Sequence, residues 1–347
     1  MNETRSVVGH AAIDNQTRFA VELVFPQDEE ARPLCVPIVQ ATYQIEPQGG
    51  LSLAEKPHPI PIGGVFWGDP ETSSYKYEPQ IAFCKPGTDL VLIGHAHANQ
   101  VGQRETLVTF QVGALEKTVR VVGDRVWKKS MGVVVMSEPQ PFERIPLIWE
   151  RAFGGWDRSH PDPEKHTFEP RNTVGVGFHS MWSKFEEGLP LPNLEDPKHY
   201  LNGWGHSPPP AGFGFTLPHW KPRNAFAGTY DKKWMTSRRP LFPVDFDRRF
   251  FNAASPGLIA PGDLKGDEPV CIVNASCGAP VRFQLPGVPP PNCLVQLTAR
   301  RDFAVSMRLD TVIVNLDARV VLMQWRGQVA VRNGPHDVVS IRVSADH

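Results

Sequence analysis

Proline and glycine interrupt this chain too often for long helices to run through it. The 35 prolines and 29 glycines are about 18% of 347 residues, against a usual total of roughly 12%. Proline lacks the amide hydrogen that helix interiors and central strands need, so this density favours short strands joined by shaped loops. Nine tryptophans and 19 phenylalanines supply the apolar surface that a disordered chain would lack. The expectation is a mainly β fold with ordered loops and little helix.

Strand patterns fall in two regions. Arg18–Phe25 (RFAVELVF) and Cys35–Ile45 (CVPIVQATYQI) read as paired strands around a charged, proline-containing turn. Residues 46–87 carry turn signals such as PQGGL and CKPGTD. The runs DLVLIGHAHA, ETLVTFQVG and KTVRVVGDRVW, separated by glycine-containing turns, predict an antiparallel meander. Strand character returns after residue 268, and LDTVIVNLDARVVLMQW predicts a hairpin turning at Asn315–Arg319. The pattern predicts two β-sandwich-like lobes, 1–140 and 256–347, or one elaborated β-sandwich. Between them, 141–255 is a Pro/Gly/aromatic-rich ordered segment in which only Gly177–Leu189 (GFHSMWSKFEEGL) suggests a helix. One continuous domain over about 10–330 is the other division.

Charge narrows the function. With 36 basic and 37 acidic residues, net −1, the chain lacks the excess of positive charge that drives binding to nucleic acid or an anionic membrane. No apolar run approaches the ~20 residues of a membrane helix, and the N-terminus has no basic segment followed by an apolar one. A soluble cytoplasmic protein is expected. Its five cysteines follow no metal or redox spacing and read as mostly buried thiols.

Enzyme signals are sparse. In GHAH, His95 and His97 stand two apart on a strand, so they face one side and offer two nitrogens to a metal. A third ligand would have to come from His10, His58 or Asp124, and nothing selects among them; hydrogen bonding at a strand end is the competing reading. No nucleophile elbow or phosphate-binding glycine pattern occurs. The acidic pairs Glu195/Asp196, Asp245/Asp247 and Asp267/Glu268 read as turn formers, caps and arginine partners. No cofactor is assigned.

The stretch PLIWERAFGGWD, Pro146 to Asp157, is the other candidate. Glu150 and Arg151 would project to opposite sides of a strand, so each would tie a different loop. Arg151 carries a fork of donors suited to fixing proline-rich backbone carbonyls. Gly154–Gly155 permits close backbone approach. Structural locking is favoured over partner contact through Trp149, Glu150, Arg151, Phe153 and Trp156, and both over catalysis.

In chain order, GHAHA, VVGDRVW, IPLIWERAFGGWD, EPRNTVGVGF, LPNLEDP, PAGFGF, WKPRNAFAGTYDKKW, PLFPVDFDRRFFNAASP, LKGDEPV, LDTVIVNLD and WRGQV resemble the motifs of a bacterial domain-of-unknown-function family, DUF2169. Members are encoded beside type VI secretion spike and toxin genes. The resemblance implies a non-enzymatic adaptor or chaperone that binds a toxic effector in the cytoplasm. It would help load that effector onto the spike, a valine-glycine repeat protein or its PAAR-type tip. It transfers no catalytic residues. The competing expectations are a metal-dependent hydrolase using His95 and His97, and a carbohydrate-binding β-sandwich with exposed aromatics.

Overall fold

Leu34–Ile45 is the longest strand and is buried along almost its whole length. A strand apolar on both faces needs neighbours on both sides and cover above and below. It pairs antiparallel with Ala20–Val24 and Leu51–Leu53 on one flank and with Val320–Arg326 and Val329–Ala330 on the other. Pro37, with no amide hydrogen, falls where that second flank passes from Val320–Arg326 to Val329–Ala330. The computed structural model describes residues 4–8 (backbone only), 11–298 and 302–345.

The protein is mainly β. The main sheet has eight strands, in the order Ile259–Ala260, Thr88–Ile93, Arg308–Asn315, Val320–Arg326, Leu34–Ile45 and Val329–Ala330, with Ala20–Val24 and Leu51–Leu53 also on Leu34–Ile45. It therefore draws strands from both ends of the chain. A five-stranded sheet joins the hairpin Glu105–Val112/Leu115–Val122 to Pro269–Val273 and Val281–Gln284, with Leu194–Glu195 at its other edge. Another five-stranded sheet contains Thr4–Val8, Ala11–Asn15, Val338–Ser344, Asn292–Leu297 and Asp302–Val305. One hydrophobic cluster includes Leu90 and Leu92 of the main sheet, Val108 and Phe110 of the second, and Ile341 and Val343 of the third.

The Arg308–Asn315/Val320–Arg326 hairpin forms as expected. Asn315 Oδ1 accepts from the Ala318 amide at 3.0 Å, and Arg319 closes the turn at φ 54°.

Two expectations fail. Thr88–Ile93 is not part of a meander, because it lies between Ile259–Ala260 and Arg308–Asn315 and runs parallel to the latter. All six of its residues are buried, which demands an interior place, whereas Glu105–Val112 alternates in burial and pairs locally. Gly177–Leu189 is not helical either. His179 stacks on Trp204 at 3.9 Å, Phe185 meets the same ring edge-on, and Ser180 and Ser183 bind Asp157. Those contacts hold the segment in turns. Among the described residues the one α-helix is Lys232–Ser237, capped by Asp231, whose carboxylate accepts from the Trp234 amide at 2.8 Å.

A buried ionic cluster ties the main sheet to distant loops. The Lys85 ammonium has no solvent exposure and donates to Glu78, to Asp89 Oδ2 at 2.7 Å and to Thr311 Oγ1 at 2.8 Å. Asp89 also accepts from Asn252 Nδ2 at 3.0 Å and the Ala253 amide at 2.9 Å. Arg326 pairs with Asp310 and donates to Ala82 O at 2.8 Å and Gln80 Oε1 at 2.7 Å. Burial alone would push Lys85 down, but Asp89 and Glu78 hold its ammonium above the usual range. Removing one member strands the others in low dielectric. Lys85→Met is expected to cost about 3–5 kcal/mol in denaturant unfolding. Arg308→Ala, which breaks the half-exposed pair with Asp263, should cost roughly 1 kcal/mol or less.

Candidate functional site

PLIWERAFGGWD divides into a buried half and an exposed half. Trp149–Arg151 is one 3-10 turn, and the Trp149 ring is buried, edge-on to Trp220 at 5.6 Å. Asn172 Nδ2 donates to the carbonyls of Trp149 at 2.8 Å and Phe153 at 3.1 Å, stapling both ends of the turn. Phe153 is buried with Trp127, Leu191 and Leu201. Trp149 and Phe153 therefore offer no surface to a partner, a correction to their place among the candidate contacts: Trp149 fills the main hydrophobic core and Phe153 a smaller one beside it.

The charged pair acts as two separate ties. Glu150 accepts from the Ser74 amide at 2.6 Å and the Ser74 hydroxyl at 2.9 Å. Arg151 reaches Asn193 Oδ1 at 3.2 Å and Asp124 Oδ1 at 3.5 Å with its side chain 45% exposed. Its partners are side chains, not the proline-rich carbonyls expected of it. The two side chains are bound to different loops.

Gly155 makes the turn possible. It has φ 96°, and a Cβ there would lie 2.3 Å from the carbonyl oxygen of Gly175. That approach lets Phe153–Gly154 pair in parallel with Val176–Gly177 and delivers Trp156 to the surface. Trp156 is 46% exposed, lies against Phe168 at 4.5 Å, and has the Arg158 guanidinium 5.4 Å over its ring. Asp157 beside it accepts from Ser159, Ser180 and Ser183. Burial opposes its charge, but the three hydroxyls outweigh that and hold the carboxyl well below the ordinary 3.8. These bonds fix the turn that carries Met181 and Trp182, both exposed. A cavity of about 360 Å³ lies beside Trp156, lined also by Arg158, His179 and Lys184 among others.

The profile of a bacterial family described as an uncharacterized protein conserved in bacteria (DUF2169) matches residues 30–326. The chain belongs to the DUF2169 family. Comparison with curated proteins and with solved structures finds no match. The DUF2169 match contains all of PLIWERAFGGWD, the His95–His97 strand and the hairpin of the main sheet. Val338–Ser344, central to the third sheet, lies beyond it.

The two histidines of this DUF2169 protein do share a face, with ring centroids 6.5 Å apart. Each has its own partner: His95 Nδ1 is 2.9 Å from Asp317 Oδ1, and His97 Nδ1 is 3.2 Å from Cys277 Sγ. The suggested third ligands go elsewhere. His58 bonds the Pro59 carbonyl and packs on Tyr77, Asp124 bonds Arg151 and Asn193, and His10 lies outside the described residues. Among the described residues no three His, Cys, Asp or Glu side chains are grouped to hold a metal, and no helix is long and apolar enough to cross a membrane. The five cysteines are free. Cys35 and Cys293 are buried, Cys84 and Cys271 partly so, and Cys277 is exposed, which departs from the expectation of mostly buried thiols. Cys277 was missed because its partner stands 180 positions away, beyond any spacing rule.

Two substitutions and one control test this geometry. Gly155→Ala must both displace the Gly175 carbonyl and hold a φ strained for alanine, so its Tm should fall by several degrees, on the order of 1–3 kcal/mol. Gly63→Ala, where a Cβ meets nothing within 4 Å, should leave it unchanged. Asp157→Asn should lower the Tm at neutral pH, and the deficit should shrink in acid. A carboxyl held below its ordinary value stabilises the fold above that value, and the contribution is lost as pH falls.

Proposed function

We propose that this protein is an effector adaptor of bacterial type VI secretion. It binds a toxic effector in the cytoplasm and helps load it onto the spike, a valine-glycine repeat protein or its PAAR-type tip, by reversible protein contact without cofactor or turnover. The observation that carries the reading is the rim of Trp156, Phe168, Met181 and Trp182. These four large apolar side chains are left at the surface, Trp156 against Phe168 and Met181 and Trp182 on the turn that Asp157 holds through Ser180 and Ser183. Exposed aromatics on ordered backbone make strong interface anchors because they bury much area for little lost freedom. Membership of DUF2169, together with the resemblance to members encoded beside spike and toxin genes, supports the same reading. Trp149 and Phe153 serve it as framework, Glu150 and Arg151 as ties, and Trp156 as the contact.

The test is co-purification with the products of neighbouring genes. The proposal expects a toxin or a spike component to be retained. Trp156→Ala should weaken that retention roughly tenfold or more with little change in Tm. Retention of neither product, or equal affinity in wild type and Trp156→Ala, would contradict it. Glycan binding lost in Trp156→Ala would point instead to a carbohydrate module.

A further inference from the structure

We propose that Cys277 is a reactive thiol that exchanges with carboxylate-bearing disulfides in a cavity of its own, with His97 as its base. The cavity holds about 600 Å³ and is lined by His97, Cys277, Arg282, Asp317 and Arg319 among others. It is separate from the aromatic rim and shares no lining residue with the cavity there.

The pairing is built by the fold. His97 accepts no freedom from its strand, since its amide donates to the Asn274 carbonyl at 3.0 Å. Asn99 Nδ2 donates to Asn274 Oδ1 at 2.7 Å, and Asn274 Nδ2 to the Leu107 carbonyl at 2.8 Å. The first two bonds clamp the turn carrying Cys277 to the end of the His95–His97 strand, the third ties it to Glu105–Val112, and Sγ is set 3.2 Å from Nδ1. Burial, then His95 and Arg144, push the His97 imidazole below its usual range against the pull of Asp317. A neutral ring with Nδ1 unprotonated can take the thiol proton.

The side chains left free in the cavity point to its ligand, since its two carboxylates are hydrogen-bonded by neighbours and its two guanidinium groups have no carboxylate partner among the described residues. Asp317 is engaged by His95, and Glu46, also in the lining, is bonded by the Ser52 hydroxyl. Arg319 donates to the Ile45 carbonyl at 3.3 Å, and among the described residues neither Arg319 nor Arg282 forms an ion pair. Two guanidinium groups without carboxylate partners, beside a nucleophilic sulfur, fit a disulfide that carries carboxylates.

In the reaction, the Cys277 proton passes to His97 and the thiolate attacks one sulfur of the incoming disulfide. A new S–S bond forms as the old one breaks, and the departing thiolate takes the proton back from His97. Cys277 is oxidised to a mixed disulfide, and the leaving sulfur is reduced to a thiol. Three of the other four cysteines are poor competitors: burial pushes the thiols of Cys35 and Cys293 up to about 12 and raises that of Cys84.

The full-length protein is treated with dithiobis(nitrobenzoate), a dianionic disulfide, and with neutral hydroxyethyl disulfide, and labelled peptides are mapped by mass spectrometry. The proposal expects the first label on Cys277 and loss of the fast phase in Cys277→Ser. His97→Gln should slow that phase on the order of tenfold or more. Arg282→Ala, at an exposed position, should slow the dianionic reagent while leaving the neutral one unchanged. A first label on Cys84 or Cys271 would overturn it. So would a Cys277 rate equal in wild type and His97→Gln, or an Arg282→Ala effect that is the same for both reagents.

Discussion

The Lys85 ammonium, enclosed with Glu78 and Asp89 and bonded to Thr311, is the contact on which the main sheet depends. It joins the loop before Thr88–Ile93 to Arg308–Asn315, residues 226 positions apart in sequence. Asp89 extends the cluster to Asn252 and Ala253, and Arg326 extends a second one to Gln80 and Ala82. A parallel pair such as Thr88–Ile93 with Arg308–Asn315 cannot be joined by a tight turn. Buried polar partners specify which strands meet, because any other pairing leaves these charges uncompensated.

On that frame the proline-rich middle of the chain can forgo regular structure. Its carbonyls and amides are met by side chains: Asn172 takes the carbonyls of Trp149 and Phe153, Glu150 meets the Ser74 amide, and Asn193 Nδ2 donates to the Val122 carbonyl at 2.9 Å. Such bonds do for loops what ladders do for strands. The result is an ordered surface on which Trp156 lies against Phe168 and Trp182 meets His160 edge-on.

Local patterns were legible in the sequence, and long-range ones were not. The pairing of Ala20–Val24 with Leu34–Ile45 and the hairpin at Asn315–Arg319 follow from runs and turns close together in the chain. The place of Thr88–Ile93 was misread because its partner lies more than 200 residues away. Gly177–Leu189 carried enough apolar residues to resemble a helix, but His179, Ser180, Ser183 and Phe185 each answer to a different neighbour. Within PLIWERAFGGWD the separate roles of Glu150 and Arg151 and the close approach at Gly155 were readable from residue chemistry. Which rings are buried was not, since Trp149, Phe153 and Trp156 differ only in what the distant segments around Asn172 and Trp220 do to them.

The central claim is that a buried framework presents Trp156 and its neighbours as a docking surface for a type VI effector or spike component. Hydrogen–deuterium exchange on the protein, alone and with its co-purified partner, tests that claim most directly. The account predicts that added protection falls on residues 156–168 and 178–186, with the main-sheet strands unchanged. Protection confined to other surfaces, with none at Trp156 or Trp182, would contradict it.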